Sequence, residues 1–556
     1  MEVSRRQVLK GSAAAGIAVA GLACVPQAAK ADEPVWDEEY DVVVVGSGTG
    51  LAGAIEAFDA GARVIVLEKG DHAGGKTCAA GGGCGLGGNN PVQQREGIED
   101  DNDAWFEEEM RASDYRAQPS VVRALVDDGA GTVEFMMNLG MDFTIDTQRA
   151  PAFFSAARCM QVAPLDDEYG TRSGLTWVKV MKRGCEERGI EIRLNNRMTK
   201  IIRDGIDGPV MGVEVETPEG VKNIKAKRGV VLATGNWSTG RDLLNIYDPR
   251  IVDEDYYGCG YVSALDEYLV DDCGDGHKAA AAIGAILTDM DIAGFYNIVA
   301  AGRDYFRWGL PPYNWDTDQS KGAGRGISLG AKGYARTILV KNDGRRYVDE
   351  GLGAANGQFA GNIAENQELP FNQAFLAVAH PRRIWAVADS AAAEELGWDM
   401  EKIQNPDGIA NGVYPDDVVI ANTLEELAAG MGIDAEGLVD EVARYNGFVA
   451  AGVDEDFGKA NMTGTIEVPP FYGLRMNLIV HTCQNGVMVN SKMQVLDGRA
   501  PMVEDYESRT VIPHLYCGSE TANIEPRRRL HWSLGHFVTS CRIAGRNAAA
   551  EPAWDE

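Results

Sequence analysis

The clearest hydrophobic pattern in the chain is the uninterrupted run Val42–Val45, which follows Asp41. A continuous β-branched run of this length favours a strand that is buried on both faces of a parallel sheet. The glycine-rich segment Gly46–Gly50 comes directly after the run, and an alanine-rich segment then continues to Ala60. The pattern therefore predicts a strand, a glycine turn and a helix in immediate succession.

A second predicted strand, residues 63–67, ends at Glu68, about twenty residues beyond the glycine turn. At that spacing a carboxylate accepts the ribose hydroxyls of a dinucleotide, while the glycines let backbone N–H groups approach its pyrophosphate. The alternative is a tight turn between strand and helix with no ligand. The unit favours a dinucleotide site, and its candidate residues are Gly46, Ser47, Gly48, Gly50, Glu68 and Lys69.

The glycine turn departs from the usual GxGxxG pattern. It is one residue shorter and reads GxGxG, with the next glycine at Gly53. We therefore expect the turn to be reshaped at this point.

Composition and charge narrow the class of protein. The 556 residues are 45% hydrophobic and 24% charged, which is typical of a globular enzyme of about two domains. The formal net charge of −31 disfavours nucleic acid as a partner, because most of the surface would repel a phosphate backbone. The ten cysteines include no CxxC pair and no CxxCH haem site, which argues against zinc, c-type haem and iron–sulfur clusters.

The N-terminus has the pattern of a targeting segment. Arg5 and Arg6 precede a mildly apolar stretch, residues 11–25, that is too short for a confident membrane span. This arrangement resembles a twin-arginine export signal, and we predict cleavage after Ala31. Alternatives are an uncleaved amphipathic start and lipid attachment at Cys24. The predicted location is the periplasm or the outer face of the cytoplasmic membrane.

Further blocks of small residues follow the dinucleotide unit. They are Gly74–Thr77, Ala80–Gly83, Val230–Gly235, Gly274–Gly276, Leu515–Glu520 and Arg542–Gly545. In this order they resemble the flavoprotein family of fumarate reductases and succinate dehydrogenases, which also includes the 3-ketosteroid dehydrogenases. The resemblance extends from about Tyr40 to Ala550 and implies that the cofactor is FAD.

The resemblance implies an α/β fold in which a Rossmann-like FAD-binding domain of the GR2 type, with a parallel sheet, carries an inserted α+β capping domain. The expected segments are a signal peptide at 1–31, FAD-binding parts at 38–290 and 479–550, and a cap at 291–478.

The resemblance also implies further FAD contacts, at Gly75, Lys76, Thr77, Gly81, Gly82, Ala233, Thr234, Gly235, Asp275, Glu520, Ser533 and Leu534. Glu520 would hold the ribityl side of FAD, and the backbone of Ser533 and Leu534 would contact the flavin pyrimidine. An N-cap role for Glu520 and a turn-forming role for Asp275 are the alternatives.

Similar enzymes pass hydride between flavin N5 and the carbon β to a carbonyl, while a protein acid transfers the proton. His481, in a His–Thr block of the family, and Arg528, counted back from Arg542, are the expected substrate-binding residues. A structural histidine, a solvated arginine and a register shift to Arg529 are the alternatives.

The predicted cap departs from the fumarate-reducing pattern. Residues 344–350 match the block before the family's catalytic arginine, yet Ala354 occupies that arginine's position. Leu329 and Lys332 replace a glutamate and an arginine of the family's proton relay, and Asn297 lies near the place of its histidine. A dicarboxylate would lose charge-assisted contacts of roughly 1.5 to 3 kcal/mol each, so we predict that fumarate is not the substrate.

The cap segment is instead rich in aromatic residues. They are Phe295, Tyr296, Tyr305, Phe306, Trp308, Tyr313, Trp315 and Tyr334, with Tyr256, Tyr257 and Tyr261 just upstream. Such residues suit a large flat enone or cinnamate-like acceptor, and a tyrosine can donate a proton. Tyr305 is our candidate acid; packing in the cap core is the alternative for most of the others.

The sequence thus favours an exported reductase of an activated carbon–carbon double bond, of the kind used in anaerobic respiration. Because the chain has no haem motif of its own, we expect a separate electron donor, with membrane-bound and multihaem cytochromes as candidates. One alternative is a ketosteroid-type dehydrogenase, which the absence of a Tyr-Pro-Gly-Pro-Gly-like block near the C-terminus disfavours. Another is a non-catalytic flavin subunit for electron transfer.

Overall fold

The computed structural model describes residues 34–555 except 81, 114, 147–154, 164–173, 248, 250–255, 259–271, 291–294, 301–328, 356–367, 380–381, 399–414, 483–484, 502 and 525–532. The strands are β1 (Glu38–Val45), β2 (Val64–Leu67), β3 (Cys84–Gly85), β4 (Phe143–Ile145), β5 (Cys159–Val162), β6 (Glu191–Arg193), β7 (Arg197–Arg203), β8 (Val210–Thr217), β9 (Gly220–Leu232), β10 (Tyr256–Gly258), β11 (Leu287–Thr288), β12 (Phe295–Ala300), β13 (Ile338–Val340), β14 (Trp385–Asp389), β15 (Val418–Ala421), β16 (Phe471–Thr482), β17 (Gly486–Val487), β18 (Gln494–Leu496) and β19 (Val511–Cys517).

The helices lie between these strands in the chain, except the last one, which follows β19. They are α1 (Gly50–Asp59), α2 (Pro91–Arg95), α3 (Asn102–Ala112), α4 (Pro119–Asp127), α5 (Gly129–Asn138), α6 (Gly174–Glu187), α7 (Arg241–Tyr247), α8 (Asp275–Ala282), α9 (Gly330–Arg336), α10 (Glu368–Ala377), α11 (Ser390–Leu396), α12 (Leu424–Met431), α13 (Ala435–Ala451) and α14 (Leu534–Ala550). Short 3₁₀ helices span Gly75–Ala79, Glu350–Ala355, Pro415–Asp417, Tyr506–Ser508 and Ser519–Thr521.

The valine run forms the inner part of β1, and its four valines are buried. β1 lies between β2 and β9, both parallel to it, with Val42 opposite Val64 and Val45 opposite Leu232. Because both faces of the strand are covered, its sequence is continuously apolar rather than alternating. The predicted order of strand, glycine turn and helix is confirmed.

β1 belongs to an eight-stranded sheet with the order β18-β19-β9-β1-β2-β6. The pairs from β19 to β6 are all parallel, and β8 and β7 extend the sheet from β9 in antiparallel fashion. The strands come from both ends of the chain, since β19 near the C-terminus pairs with β9. This sheet and its helices confirm the expected α/β fold with a parallel FAD-binding sheet.

A second sheet is organised around β16, the twelve-residue strand Phe471–Thr482. β16 pairs with β10 in parallel and with β12, β14 and β15 in antiparallel fashion, and β13 adds to β14. Helices α12 and α13 begin at N-caps in which Thr423 and Asp434 accept backbone N–H groups. The predicted cap boundary at 478 falls within β16, so this strand crosses it.

Four buried charges join separate parts of the chain between Thr337 and Lys459, within the predicted cap. Arg346 donates to both oxygens of Glu350, at 2.8 and 2.7 Å, and to Asp454 at 2.9 Å. The ammonium of Lys459 lies 3.4 Å from Glu350 and donates to the Thr337 carbonyl at 2.6 Å. All four charged side chains have zero exposure. Burial raises the pKa of Glu350, but Lys459 and Arg346 outweigh it, so the carboxyl stays ionised with a lowered pKa.

Candidate functional site: a dinucleotide cradle

The glycine turn between β1 and α1 brings backbone close to backbone. Gly46 has a φ of +104°, and a Cβ there would lie 2.1 Å from the Ala233 carbonyl oxygen. A Cβ on Gly48 would lie 2.5 Å from the Thr77 hydroxyl. Thr49, at the N-cap of α1, makes no side-chain capping bond. The Thr49 side chain therefore does not cap the first N–H groups of the helix. A helix N-terminus without a side-chain cap is suited to binding a phosphate.

Glu68 ties the ends of the first two parallel strands together. Its carboxylate accepts the backbone N–H of Ser47 at 3.0 Å, the Ser47 hydroxyl, and the backbone N–H of Gly70 at 2.9 Å. The residue is 8% exposed and lines the cavity beyond the strand ends. A carboxylate has four acceptor positions, so Glu68 keeps capacity for the hydroxyls of a ribose.

The shortened glycine motif changes how α1 packs. α1 begins at Gly50, and a Cβ on Gly53 would lie 2.7 Å from the Cys541 carbonyl oxygen in α14. Gly53 therefore serves a close helix–helix contact. A Cβ on Gly50 would lie 2.9 Å from the Ala233 side chain, so Gly50 supports the turn from behind and does not line the cavity.

The carboxyl ends of the parallel strands and the Gly75–Ala79 helix enclose one cavity. Most residues predicted for the cofactor line it, namely Gly46, Ser47, Gly48, Glu68, Lys69, Gly75, Lys76, Thr77, Ala233, Thr234, Gly235, Asp275 and Glu520. The chain thus brings together segments from residue 46 to residue 520. Gly82 is not among the lining residues; its carbonyl accepts the Trp177 indole N–H at 2.9 Å. Ser533 forms a bridge with Cys84 at the start of α14, and neither Ser533 nor Leu534 lines the cavity.

The structure describes less of the residues predicted for catalysis than of those predicted for the cofactor. Tyr305 and Arg528, like Gly81, lie outside the described residues. His481 lies near the end of β16, and only its backbone is described. Tyr334, one of the cap aromatics, is 2% exposed and packs edge-on against Phe371, so it belongs to the cap core.

One side of the cavity carries an ion pair between Lys76 and Glu520. The ammonium lies 3.0 Å from each oxygen of Glu520 and 4.0 Å from Asp272. The Asn236 amide donates to Glu520 at 3.3 Å. Sequence reasoning predicted Lys76 and Glu520 but missed Asp272 and Asn236, because each of these two lies just outside a glycine block and belongs to no motif itself.

Asp275 lies at another part of the rim. It accepts from Arg197 at 2.9 and 3.0 Å and from Lys69 at 3.4 Å, and the Cys273 thiol donates to it at 3.0 Å. Burial raises the pKa of Asp275, but the bonds from Arg197 and the charge of Lys69 bring that pKa down to about 2. Asp275 therefore orders two cations instead of only forming a turn.

Sequence reasoning also missed Asn196, Arg197, Met198 and Ser519, all of which line the cavity. Residues 196–198 follow β6, and the carboxyl ends of parallel strands meet at one edge of a sheet. That rule could have found them, but β6 is only three residues long and has no strong apolar pattern. Ser519 has a positive φ of 60°, and no residue pattern around it signals this.

The residues of the cavity fit FAD. Glycine is required at Gly46 and Gly48, where a Cβ would meet Ala233 and Thr77 beside the start of α1, and a Cβ on Gly276 would lie 2.1 Å from the Thr234 hydroxyl. Asn196 is 4% exposed, and its side-chain oxygen has no donor among the described residues. A buried acceptor next to a cavity is suited to the hydroxyl or amino group of a ligand. The fold and this cradle define a FAD-dependent oxidoreductase.

Comparison with known proteins gives the family. A family model described as "FAD binding domain" matches residues 41–296 and 307–525, and the chain belongs to this family. Fumarate reductase (cytochrome) of Shewanella frigidimarina is 28% identical over 94% of this chain and 79% of its own length. Digoxin reductase of Eggerthella lenta is 25% identical over 100% of this chain and 98% of its own length.

A solved open structure of a flavocytochrome c3 fumarate reductase superposes with a TM-score of 0.67 at 24% identity. The superposition covers 93% of this chain and 79% of the flavocytochrome c3 chain. The likeness confirms the fold. The family and the relatives identify an enzyme that binds FAD and acts on carbon–carbon bonds of the CH–CH class. Among the described helices, none is both long and apolar enough to cross a membrane.

Proposed function

We propose that this protein is an exported, FAD-dependent reductase of a carbonyl-conjugated carbon–carbon double bond, and that its acceptor is a small organic molecule other than fumarate. The reaction class follows from the family. The choice of acceptor depends on the cap.

The observation that most separates this protein from the fumarate-reducing pattern is the environment of Leu329. This residue occupies the expected place of a relay glutamate, and it is 6% exposed within an apolar cluster that includes Leu339 and Phe371. Lys332, at the expected place of a relay arginine, is exposed. An apolar side chain in a packed cluster cannot transfer a proton, so the proton in this protein needs another donor.

The relatives support a broad range of acceptors for this fold. One of them is named for fumarate and one for digoxin, and both match almost the whole of this chain. Ala354 lies on the Glu350–Ala355 helix, where an alanine offers no charge to a second carboxylate of a substrate. We therefore favour an acceptor with a single carbonyl or carboxylate and a larger apolar body.

When bound, FAD would supply the hydride that reduces the carbon β to the carbonyl. Gly46, Gly48 and Glu68 would hold its dinucleotide end, and Lys76 and Glu520 would hold another part of it. In our proposal His481 and Arg528 bind the carbonyl oxygen, where negative charge develops, and Tyr305 donates the proton at the α carbon.

The test is anaerobic oxidation of reduced methyl viologen by the FAD-loaded protein, with fumarate, urocanate, cinnamates, stilbenes and enone steroids as acceptors. We expect turnover with a bulky acceptor and none with fumarate. Strong turnover of fumarate would contradict the argument from Leu329 and Ala354. Oxidation of a saturated ketosteroid without reduction of any alkene would favour the dehydrogenase, and inactivity with every acceptor would favour a non-catalytic flavin subunit.

Each active acceptor is then tested with Arg528→Ala and Tyr305→Phe, with Arg529→Ala as the matched control. Loss of one positioned donor costs about a hundred- to a thousandfold in kcat. We expect losses of that order for the first two variants and near-normal turnover for the control. A large loss with Arg529→Ala and none with Arg528→Ala would move the substrate-binding role by one residue.

We further propose export through the twin-arginine pathway and reduction by a separate electron carrier, for which a cytochrome is the leading candidate. The proposal is supported by the Arg5–Arg6 pair and by the lack of a haem-binding motif in the chain. Replacing both arginines by lysine should keep the protein in the cytoplasm, as measured by cell fractionation. Unchanged export of this variant would contradict the proposal.

A further inference from the structure

The Lys76–Glu520 pair belongs to a cavity whose described lining carries more carboxylates than cations. The charged residues of this described lining are the cations Lys69, Lys76 and Arg197 and the anions Glu68, Asp272, Asp275 and Glu520. FAD brings further negative charge, because both of its phosphates are ionised at neutral pH. The cavity therefore has to receive an anion although, among the residues that the structure describes there, carboxylates outnumber lysines and arginines.

Two of the three cations are held by one carboxylate. Lys69 and Arg197 both contact Asp275 at the rim. Lys76 lies apart from them, next to Gly75 at the start of a 3₁₀ helix, and it contacts Glu520 and Asp272. The side chains of these three residues are only 12%, 10% and 7% exposed.

Low exposure makes this contact strong, since water screens buried charges poorly. Without Lys76, Glu520 and Asp272 would face the cavity without the positive charge that lies 3.0 Å from Glu520 and 4.0 Å from Asp272. Their repulsion would then act on any anion in the cavity, including the phosphates of FAD and the negative charge that a flavin gains on reduction.

We propose that Lys76 is a charge-balancing residue: by neutralising Glu520 and Asp272 it allows this carboxylate-rich cavity to bind FAD and to stabilise the reduced flavin. The inference rests on FAD binding and is independent of which alkene is reduced. The effect of Lys76 passes through Glu520 and also through Asp272, which has no cofactor-binding motif of its own.

The experiment measures FAD affinity by fluorescence titration of the apoprotein and the flavin midpoint potential by spectroelectrochemistry. We expect Lys76→Met to weaken FAD binding roughly ten- to hundredfold and to make the potential more negative. Lys76→Arg keeps the charge and should retain most of the affinity. Lys278→Met is the matched control. Lys278 lies on α8 and pairs at the protein surface with Asp242 of α7.

The double variant Lys76→Met with Asp272→Asn tests whether Lys76 acts by neutralising a carboxylate. Removing one carboxylate should restore much of the affinity and potential that Lys76→Met loses. Wild-type affinity and potential in Lys76→Met would overturn the proposal. So would a loss in Lys76→Met that neither Asp272→Asn nor Glu520→Gln relieves, because that result means Lys76 acts by direct contact alone.

Circular dichroism and thermal unfolding of each apoprotein show whether a variant is folded. If Lys76→Met does not fold, the comparison of Asp272→Asn with wild type takes its place. We then expect tighter FAD binding and a less negative potential in Asp272→Asn, and no change in either would overturn the proposal.

Discussion

A Cβ on Gly545 would lie 2.1 Å from the carbonyl oxygen of Gly53, so these two glycines bring helices α14 and α1 into backbone contact. They are separated by almost the whole chain, yet they hold the helix that starts at the glycine turn after β1. The contact explains why Gly53 follows the shortened glycine motif. It also makes the position of α1 sensitive to a single methyl group.

Gly545→Ala should destabilise the protein, because the methyl group has no room and the two helices must separate. We expect a loss of about 1 to 3 kcal/mol in the free energy of unfolding, measured by denaturant titration, with weaker retention of FAD. Gly447→Ala is the control, since Gly447 is exposed on α13 and an added Cβ would meet no atom within 4 Å. That change should stabilise the protein by about 0.5 to 1 kcal/mol through helix propensity. Equal effects of the two variants would refute the packing argument.

Glu68→Gln should weaken FAD binding although its shape is nearly unchanged. The glutamine would present an NH₂ group towards N–H donors of Ser47 and Gly70 and would lose the charge that strengthens these bonds. We expect about a ten- to hundredfold higher Kd for FAD in a fluorescence titration. Glu219→Gln, in the exposed turn between β8 and β9, should leave Kd unchanged. An unaltered Kd in Glu68→Gln would remove Glu68 from the set of residues that organise the cradle.

His277 should make the protein lose stability in mild acid. Burial lowers the pKa of His277 from 6.5 to about 4, outweighing its bond to the Asn485 carbonyl. A lowered pKa in the folded state means that the stability from neutral His277 is complete above about pH 6.5. It is lost as the pH falls towards about 4, by up to about 3 kcal/mol.

The measurement is the free energy of unfolding between about pH 7.5 and pH 4.5 for wild type and for His277→Asn. The variant is expected to be less stable at neutral pH and to show a smaller decline in this window. Asp275, with its pKa at about 2, loses its contribution only at lower pH. Parallel pH profiles for the two proteins would show that His277 does not titrate as inferred.

Two neighbouring arginines in the cap should respond very differently to substitution. Arg346 is fully buried between Glu350 and Asp454, whereas the Arg345 side chain is 40% exposed and pairs with Asp440. Arg346→Met leaves buried carboxylates without their partner and should cost about 3 to 5 kcal/mol. Arg345→Met should change the free energy of unfolding by less than about 1 kcal/mol. Thermal and denaturant unfolding check both values, and similar losses would mean that the buried network does not hold the cap.

Sequence alone predicted those parts of the protein in which local pattern and function coincide. The valine run, the glycine turn and Glu68 lie within a short stretch of chain, and a phosphate-binding turn needs those residue types at that spacing. The parallel sheet and the cofactor could therefore be inferred from residue order. The fumarate reductase-like blocks extended that prediction to the end of the chain.

How distant segments meet is set by the tertiary structure. Nothing in the local sequence states that Asp272 approaches Lys76, that Asn196 lines the cavity, or that Gly53 opposes Gly545. These relationships arise where parallel strands end at one edge and where helices cross, so they depend on strand order and not on residue pattern. Leu329 shows the same limit, because its identity can be read from the chain while its place in an apolar cluster is set by packing.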